Sequence, residues 1–161
     1  MCTIDLWSDS VATTQRIAVT MARELAAGTI ILLHGEMGAG KTTWTRGFLA
    51  GLDHPDPREV ASPTFALHHR YEGGRVPLNH LDLFRVQDER LLIQQGVLEA
   101  LEDTHAITVV EWPNAISAPP RSATLHIELR WCTETERYLR CTYEASEFPS
   151  LLGALLRTLR A

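Results

Sequence analysis

Residues 34–43 have the sequence HGEMGAGKTT and lie between two segments of different character. Residues 29–33 before them form a short, continuous apolar run, which is typical of a strand buried on both faces of a sheet. Residues 41–52 after them carry the pattern of a helix. Glycines permit a tight turn between such segments because they adopt backbone conformations that other residues disfavour. The stretch therefore predicts a strand–turn–helix unit, the building element of α/β folds.

The same stretch matches the phosphate-binding P-loop pattern G-x-x-x-x-G-K-[ST] at every fixed position, from Gly35 to Thr42. Its glycines let successive backbone N–H groups point inward, and the following helix adds its positive N-terminal end. Lys41 is the only lysine in the chain, and the other fourteen residues counted as positively charged at pH 7 are arginines. A compact ammonium can reach the outer phosphates of a nucleotide where a planar guanidinium fits poorly. The Thr42 hydroxyl can bind Mg²⁺, so the stretch predicts a nucleotide site.

Length and composition are those of one globular domain. The chain has 161 residues, of which 45% are hydrophobic and 22% charged, and its formal net charge is -5. A negative net charge argues against nucleic-acid binding through broad electrostatic attraction. No segment reaches the roughly 18 apolar residues that span a membrane, and the N-terminal residues lack the basic region of a secretory signal. We therefore expect a cytoplasmic protein with one P-loop domain over residues 1–161 and no membrane partner.

Helix and strand patterns alternate along the rest of the chain. Helices are predicted at residues 11–27, 88–101 (interrupted at Gly96) and 149–159, extended segments at residues 64–71, 76–83 and 106–110, and an antiparallel hairpin at residues 123–132 and 137–145. Trp44 and Phe48, four residues apart on the second helix, are expected in the core. The order of elements predicts an α/β protein. We expect a P-loop NTPase-like three-layer sandwich with a mixed, mostly parallel sheet and a C-terminal antiparallel hairpin.

Two carboxylates are candidates for the chemistry of a bound nucleotide. Asp82 shares one face of an extended segment with His80, and Glu111 follows a buried apolar strand. Parallel α/β sheets place ligand residues at the carboxyl ends of their strands, where an acid can hold a metal ion or orient water. We predict Lys41, Asp82 and Glu111 as catalytic residues, and Thr42, Asp82 and Glu111 as the Mg²⁺ site. Which of the two acids contacts the ion directly is left open.

Four motifs, taken together, resemble the TsaE (YjeE) family. They are GEMGAGKTT at residues 35–43, SPTF at 62–65, HLDLFR at 80–85 and EWP at 111–113. The P-loop alone occurs in many proteins, whereas this combination and spacing in a short chain is specific. The resemblance extends from the first predicted helix to Pro113, and the C-terminal part is similar only in outline.

The resemblance implies an ATPase of bacterial tRNA threonylcarbamoyladenosine synthesis, with ATP and Mg²⁺ as ligands. In that family the partner is the TsaB–TsaD complex, in which TsaD transfers threonylcarbamoyl to the adenosine beside the anticodon. The TsaE protein binds this complex, and its ATP hydrolysis is needed for repeated turnover. Contact with tRNA would therefore be indirect, through the complex. We expect slow hydrolysis without partners, because the chain offers no clear arginine finger.

The resemblance also assigns roles to individual residues. Residues 62–65 would form a switch-like loop near the γ-phosphate and the partner. The residues expected to contact the nucleotide are Thr13, Gly35, Glu36, Met37, Gly38, Ala39, Gly40, Lys41, Thr42, Thr43, Thr64, Trp112 and Arg137. From the residues alone, Trp112 fits either the rim of the site or the core.

Other functions remain open from the residues alone. A small-molecule kinase usually carries an arginine-bearing lid over the phosphates, and residues 53–58 offer a short candidate with one arginine, Arg58. A GTP switch usually needs an N-K-x-D element, for which the chain has no second lysine. A non-hydrolysing nucleotide-binding scaffold would bind ATP without turnover even with its partners. The ATP-hydrolysing partner protein is our leading hypothesis.

Overall fold

The computed structural model describes residues 1–86, 90, 92, 96–118 and 123–160. The strands are β1 (Cys2–Ser8), β2 (Ile30–His34), β3 (His68–Tyr71), β4 (Leu78–Asp82), β5 (Ile107–Glu111), β6 (Thr124–Trp131) and β7 (Arg137–Tyr143). The α-helices with complete bounds are α1 (Val11–Glu24), α2 (Lys41–Gly51), α3 (Val97–Glu102) and α4 (Leu151–Arg160), and short 3₁₀ helices cover Pro57–Glu59 and Pro113–Ala115. Within these residues, no helix is both long enough and apolar enough to cross a bilayer.

All seven strands form one sheet in the order β1-β7-β6-β2-β5-β4-β3. The four central strands β6, β2, β5 and β4 are mutually parallel. The antiparallel pairs lie towards the two edges, where β7 joins β6, β1 joins β7 and β3 joins β4. The predicted hairpin is the β6–β7 pair, and the predicted mixed α/β sheet is confirmed. Its parallel pairs are concentrated in the centre, where helices cover the strands.

Helices on both sides of the sheet make three layers. Along β2, Ile31 and Leu33 belong to the core under α1, α2 and α4, whereas Ile30 and Leu32 belong to a second core under α3. Both sets are buried because both faces of this strand are covered. This explains why the β2 sequence is a continuous apolar run and not an alternating one. The predicted three-layer sandwich is confirmed.

Helices α1 and α2 pack closely against each other under the sheet. As predicted, Trp44 and Phe48 lie in the core, fully buried, with ring centroids 5.0 Å apart. Helix α1 ends at Glu24, three residues before the predicted end. Leu25 is already extended, with φ -94° and ψ 141°, and its N–H bonds back to Met21. The predicted helical end at residue 27 was therefore too late.

Two further predictions differ from the structure in extent. The segment predicted as extended from residue 64 becomes a strand only at His68, because residues 64–66 form a turn in which Leu67 N–H bonds to the Pro63 carbonyl. The helix predicted at residues 88–101 falls partly outside the described residues. Its described C-terminal part is α3, which begins after Gly96, as the predicted interruption there suggested, and ends at Glu102.

Strand β1 was not predicted. It pairs antiparallel with β7 over its whole length, from Cys2 opposite Tyr143 to Ser8 opposite Arg137. Its inward side chains, Ile4, Leu6 and Ser8, are buried and alternate with exposed ones. The sequence of β1 alternates apolar and polar residues, as a half-buried strand does, but an outward-facing tryptophan interrupts this alternation. Pairing with a strand some 130 residues away is what makes this short segment part of the sheet.

Candidate functional site

The glycine-rich turn joins β2 to α2 at the carboxyl end of the central strand. Gly35, Gly38 and Gly40 all have positive φ, at 145°, 79° and 103°. Gly40 is the N-cap of α2. Because glycine has no side chain that could accept from the first N–H groups of the helix, these groups are left for other acceptors. A side chain at Gly35 would collide with the backbone carbonyl of Leu129 on β6. The turn therefore depends on glycine for both its conformation and its packing.

Lys41 opens α2 and folds back over the turn. Its Nζ donates to the carbonyls of Gly35 and Glu36, each at 2.8 Å, and lies 3.7 Å from the centroid of the Trp112 ring. Burial lowers the pKa of Lys41, against the opposing effect of the nearby Glu111 and Asp82 charges. No carboxylate of the described residues forms an ion pair with it. A buried ammonium held only by neutral groups is well suited to receive an anion.

Asp82 and Glu111 stand side by side at the carboxyl ends of β4 and β5. The two residues are direct partners in the register of these parallel strands, and both are buried. Glu111 accepts the Thr42 hydroxyl, whose Oγ1 lies 2.9 Å from Oε1 and 3.2 Å from Oε2. The structure thus brings together the three residues predicted to hold a metal ion.

His80, for which no role was predicted, is a further polar contact of Glu111. Its Nε2 lies 2.8 Å from Glu111 Oε1, and the ring is fully buried. The signal that could have found it was its spacing of two from Asp82, which puts both side chains on the same face of β4.

Asp82 is held by the loop that carries the SPTF motif. The hydroxyls of Ser62 and Thr64 both donate to Oδ2, the latter at 2.7 Å, while the Phe84 N–H donates to Oδ1 at 2.9 Å. The two hydroxyls are also 2.8 Å apart. The predicted switch-like loop therefore contacts the acid through its polar side chains. Its Phe65 is 84% exposed beneath the Arg85 guanidinium, at 4.3 Å from the ring centroid.

These groups surround a cleft of about 500 Å³. The residues lining it are Met37, Gly38, Gly40, Lys41, Thr42, Thr43, Ser62, Thr64, Asp82, Phe84, Arg85, Glu111 and Trp112. Trp112 has a left-handed backbone, with φ 57°, and its ring lies 5.0 Å from that of Phe84. Of the two positions left open for it, the half-buried Trp112 occupies the rim.

Four residues predicted to contact the nucleotide lie near the glycine-rich turn but are not among those that line the cleft. Gly35 and Glu36 line a smaller cavity on the β6 side, although their carbonyls hold Lys41. Ala39 is buried, and its carbonyl accepts the Arg137 Nε at 3.1 Å. Arg137 also donates to the Thr133 carbonyl at 2.7 Å, so it links the hairpin turn to the glycine-rich turn.

Thr13 is not among the residues that line the cleft. Its hydroxyl donates to Asp9 Oδ1 at 2.7 Å, and its N–H donates to the Ser10 hydroxyl at 3.2 Å. These bonds cap the first turn of α1. In this structure Thr13 supports the start of that helix, and its contact with a nucleotide stays a prediction.

The donor set can be tested against the chemistry of the expected ligands. Mg²⁺ is a hard cation that prefers oxygen ligands, and Thr42, Asp82 and Glu111 offer hydroxyl and carboxylate oxygens in one cleft. A polyphosphate needs convergent N–H groups and a cation, which the glycine-rich turn and Lys41 offer. The residues present could therefore hold a nucleotide with its metal ion.

Comparison with known proteins identifies relatives along most of the chain. The family described as "Threonylcarbamoyl adenosine biosynthesis protein TsaE" matches residues 8–139. A Nostoc protein named "tRNA threonylcarbamoyladenosine biosynthesis protein TsaE" is 34% identical over 131 residues, which is 80% of this chain and 79% of the relative. A Bacillus subtilis protein of the same name is 32% identical over 144 residues, covering 89% and 88%. The crystal structure of Bacillus subtilis YdiB superposes with a TM-score of 0.74 at 25% identity, covering 97% of this chain and 95% of that one.

Proposed function

The chain belongs to the TsaE family of threonylcarbamoyl adenosine biosynthesis proteins, and from that membership we propose that it binds ATP with Mg²⁺ and hydrolyses it. Its hydrolysis would support repeated turnover of the TsaB–TsaD complex in tRNA modification. The protein would act on that complex and meet tRNA only through it. The family membership supports the pathway, and the geometry of the cleft supports the chemistry.

The observation that carries the proposal is the arrangement around Lys41. A buried ammonium with two neutral carbonyl partners faces the same cleft as two buried carboxylates and the Thr42 hydroxyl. A triphosphate would give the ammonium its anionic partner, and Mg²⁺ would neutralise charge between the phosphates and the carboxylates. Among the described residues, His80 is the one basic side chain that forms a hydrogen bond or an ion pair with either acid. A cation together with a polyphosphate would complete this charge arrangement.

Each group has a definite task in the proposed hydrolysis. Lys41 and the N–H groups of the turn would bind the outer phosphates, and Thr42 with the acids would hold the metal ion. A buried carboxylate beside the γ-phosphate, from Asp82 or Glu111, would orient the attacking water. Arg85 is the one arginine among the described residues that line the cleft, and it rests on the exposed Phe65. Stabilisation of the transition state would therefore depend on a partner that orders this rim.

The kinase alternative finds no support in the candidate lid. None of the described residues that line the cleft comes from residues 53–58. Arg58 is exposed and pairs with Asp56, at 3.0 Å between Nε and Oδ1. Its charge is thus engaged on the surface within its own turn.

The test is ATP hydrolysis by the purified protein, alone and after addition of the TsaB–TsaD pair. Lys41→Ala removes the cation from the cleft, and Arg58→Ala removes an exposed cation outside it. We expect the pair to stimulate wild type and Arg58→Ala equally. Lys41→Ala should lose about 100-fold or more of this activity, because the phosphates lose their charged partner.

Different outcomes lead to different functions. Hydrolysis by Lys41→Ala at the wild-type rate would contradict the assigned site. ATP binding with no hydrolysis in either condition would indicate the scaffold. A rate of ATP hydrolysis that the TsaB–TsaD pair leaves unchanged and a small-molecule acceptor increases would indicate a kinase.

A further inference from the structure

His80 is a polar residue in a largely apolar part of the core, where the ring of Tyr71 lies 6.4 Å from its own. It lies on the face of β4 that contributes to the core shared with α1 and α2, and its side chain has no exposed surface. Leu78 precedes it on the same face, and Val109 lies opposite it on β5, both fully buried. Burying an imidazole costs desolvation free energy that an aliphatic side chain would not. A histidine at this position therefore needs an interaction that offsets the cost.

Glu111 provides that interaction. The distance from His80 Nε2 to Glu111 Oε1 is 2.8 Å, whereas Nδ1 has no hydrogen-bond partner in the described part of the chain. Carboxylate oxygens accept hydrogen bonds, so the imidazole carries its hydrogen on Nε2 and donates it. The Glu111 bond is the one hydrogen bond found for this ring within the described residues.

Two donors from different elements hold the Glu111 carboxylate. Thr42 donates from the first turn of α2, and His80 donates from β4. Thr42 is also the residue expected to bind Mg²⁺, so its bond to Glu111 is subject to change when the ligand enters. His80 does not line the cleft, so it can hold Glu111 without contacting the ligand.

We propose that His80 is a positioning residue, which orients Glu111 and thereby sets the affinity of the cleft for the divalent cation that accompanies the nucleotide. The inference rests on the proposed function, because it assigns Glu111 to the metal ion. Groups that hydrogen-bond to metal-binding carboxylates fix their orientation, and removing such groups typically lowers metal affinity 10- to 100-fold. His80 would act through Glu111, since it hydrogen-bonds to that carboxylate and does not itself line the cleft.

Two substitutions separate positioning from packing. Gln at residue 80 (His80→Gln) keeps an N–H donor at a similar reach, whereas Met (His80→Met) fills a similar volume with no donor. The measurement is equilibrium binding of a fluorescent ATP analogue as a function of Mg²⁺ concentration. His80→Met should raise the half-saturating Mg²⁺ concentration about 10- to 100-fold, and His80→Gln by less than about threefold. Binding without Mg²⁺ should stay unchanged in both, and His105→Met, at an exposed histidine, should match wild type.

A packing role gives a different result. If both variants lose stability in urea but keep the wild-type Mg²⁺ dependence, His80 only fills space and the proposal is overturned. Equal increases in the Mg²⁺ requirement for Gln and Met would also overturn it, because the donor would then not matter.

A ligand-free measurement separates this inference from the proposed function. Nitrogen-15 NMR of the histidine rings should show His80 protonated on Nε2, with a signal that His80→Gln lacks and Glu111→Gln shifts. Such a result supports the His80–Glu111 bond even if wild type binds no ATP. If wild type binds no ATP, the proposed function fails, and with it the assignment of Glu111 to the metal ion. A ring protonated only on Nδ1 would overturn the positioning role itself.

Discussion

Gly35 occupies a place in the turn that a side chain cannot share. Its φ of 145° is unfavourable for any residue with a Cβ, and that Cβ would meet the Leu129 carbonyl on β6. Gly38 also has a positive φ, 79°, but a Cβ there would meet nothing within 4 Å. The same residue type thus serves two needs in one loop, namely conformation alone at Gly38 and conformation with close packing at Gly35.

Alanine at these two positions should therefore have unequal effects on stability. Gly38→Ala should cost about 1 kcal/mol, the strain of a left-handed backbone. Gly35→Ala should cost about 3 kcal/mol or more, because a collision with backbone adds to the strain. Urea unfolding of both variants measures the difference. Equal losses would show that the β6 carbonyl moves away at little cost.

At the scale of elements, small residues allow α1 and α2 to approach each other. A Cβ at Gly47 would lie 2.6 Å from Gln15 Cα, and one at Gly51 would lie 2.7 Å from Val19 Cα. Both glycines lie within α2, where alanine has the higher helix propensity by about 1 kcal/mol. Close packing takes precedence over propensity here. The position of α2, and with it Lys41 and Thr42, depends on this contact.

Gly47→Ala should destabilise the protein by about 2 kcal/mol, since overpacking outweighs the gain in helix propensity. Gly153→Ala on α4 is the matched control, because the nearest group to its added Cβ is the flexible Arg157 guanidinium at 3.3 Å. That substitution should stabilise by up to about 1 kcal/mol. Thermal unfolding shows whether each substitution raises or lowers the stability of the protein. A stabilised Gly47→Ala protein would contradict the close packing of the two helices.

At the scale of the whole molecule, the sheet joins the N-terminal strand to the C-terminal hairpin. Strand β1 pairs with β7, and β7 pairs with β6, which is the neighbour of the P-loop strand β2. The hairpin also reaches the glycine-rich turn directly, through the bond from Arg137 to Ala39. The N-terminal segment thus supports the strands that back one side of the site, although it contributes no residue to the lining of the cleft.

Adjacent residues of β1 should report this docking. Leu6 is 2% exposed and Trp7 52% exposed, on opposite faces of the strand. Leu6→Ala should cost about 3 kcal/mol, since it leaves a cavity in the core. Trp7→Ala should cost less than about 1 kcal/mol, the worth of a cross-strand surface pair. The midpoint of urea unfolding gives both values. A larger loss at Trp7 than at Leu6 would mean that β1 docks with its other face inward.

Local patterns were enough to predict the P-loop, the mixed α/β class, the hairpin and the core positions of Trp44 and Phe48. These features depend on residues close together in sequence, such as a glycine turn between an apolar run and a helix. Local patterns placed the end of α1 too late and did not predict β1. The reason is that capping at Leu25 and the pairing of β1 with β7 depend on residues that are neighbours in space.

The sequence by itself determined which residue types the candidate site could use, because a glycine-rich turn, a lone lysine and two acids each have a recognisable local context. Only the tertiary structure decided which of them meet. The parallel register of β4 and β5 puts Asp82 beside Glu111, and the same face brings His80 to Glu111. It also left Thr13 outside the lining of the cleft. Register and strand order arise from pairing between distant segments, so local patterns can show which residues share a face of one strand but not which strands lie next to each other.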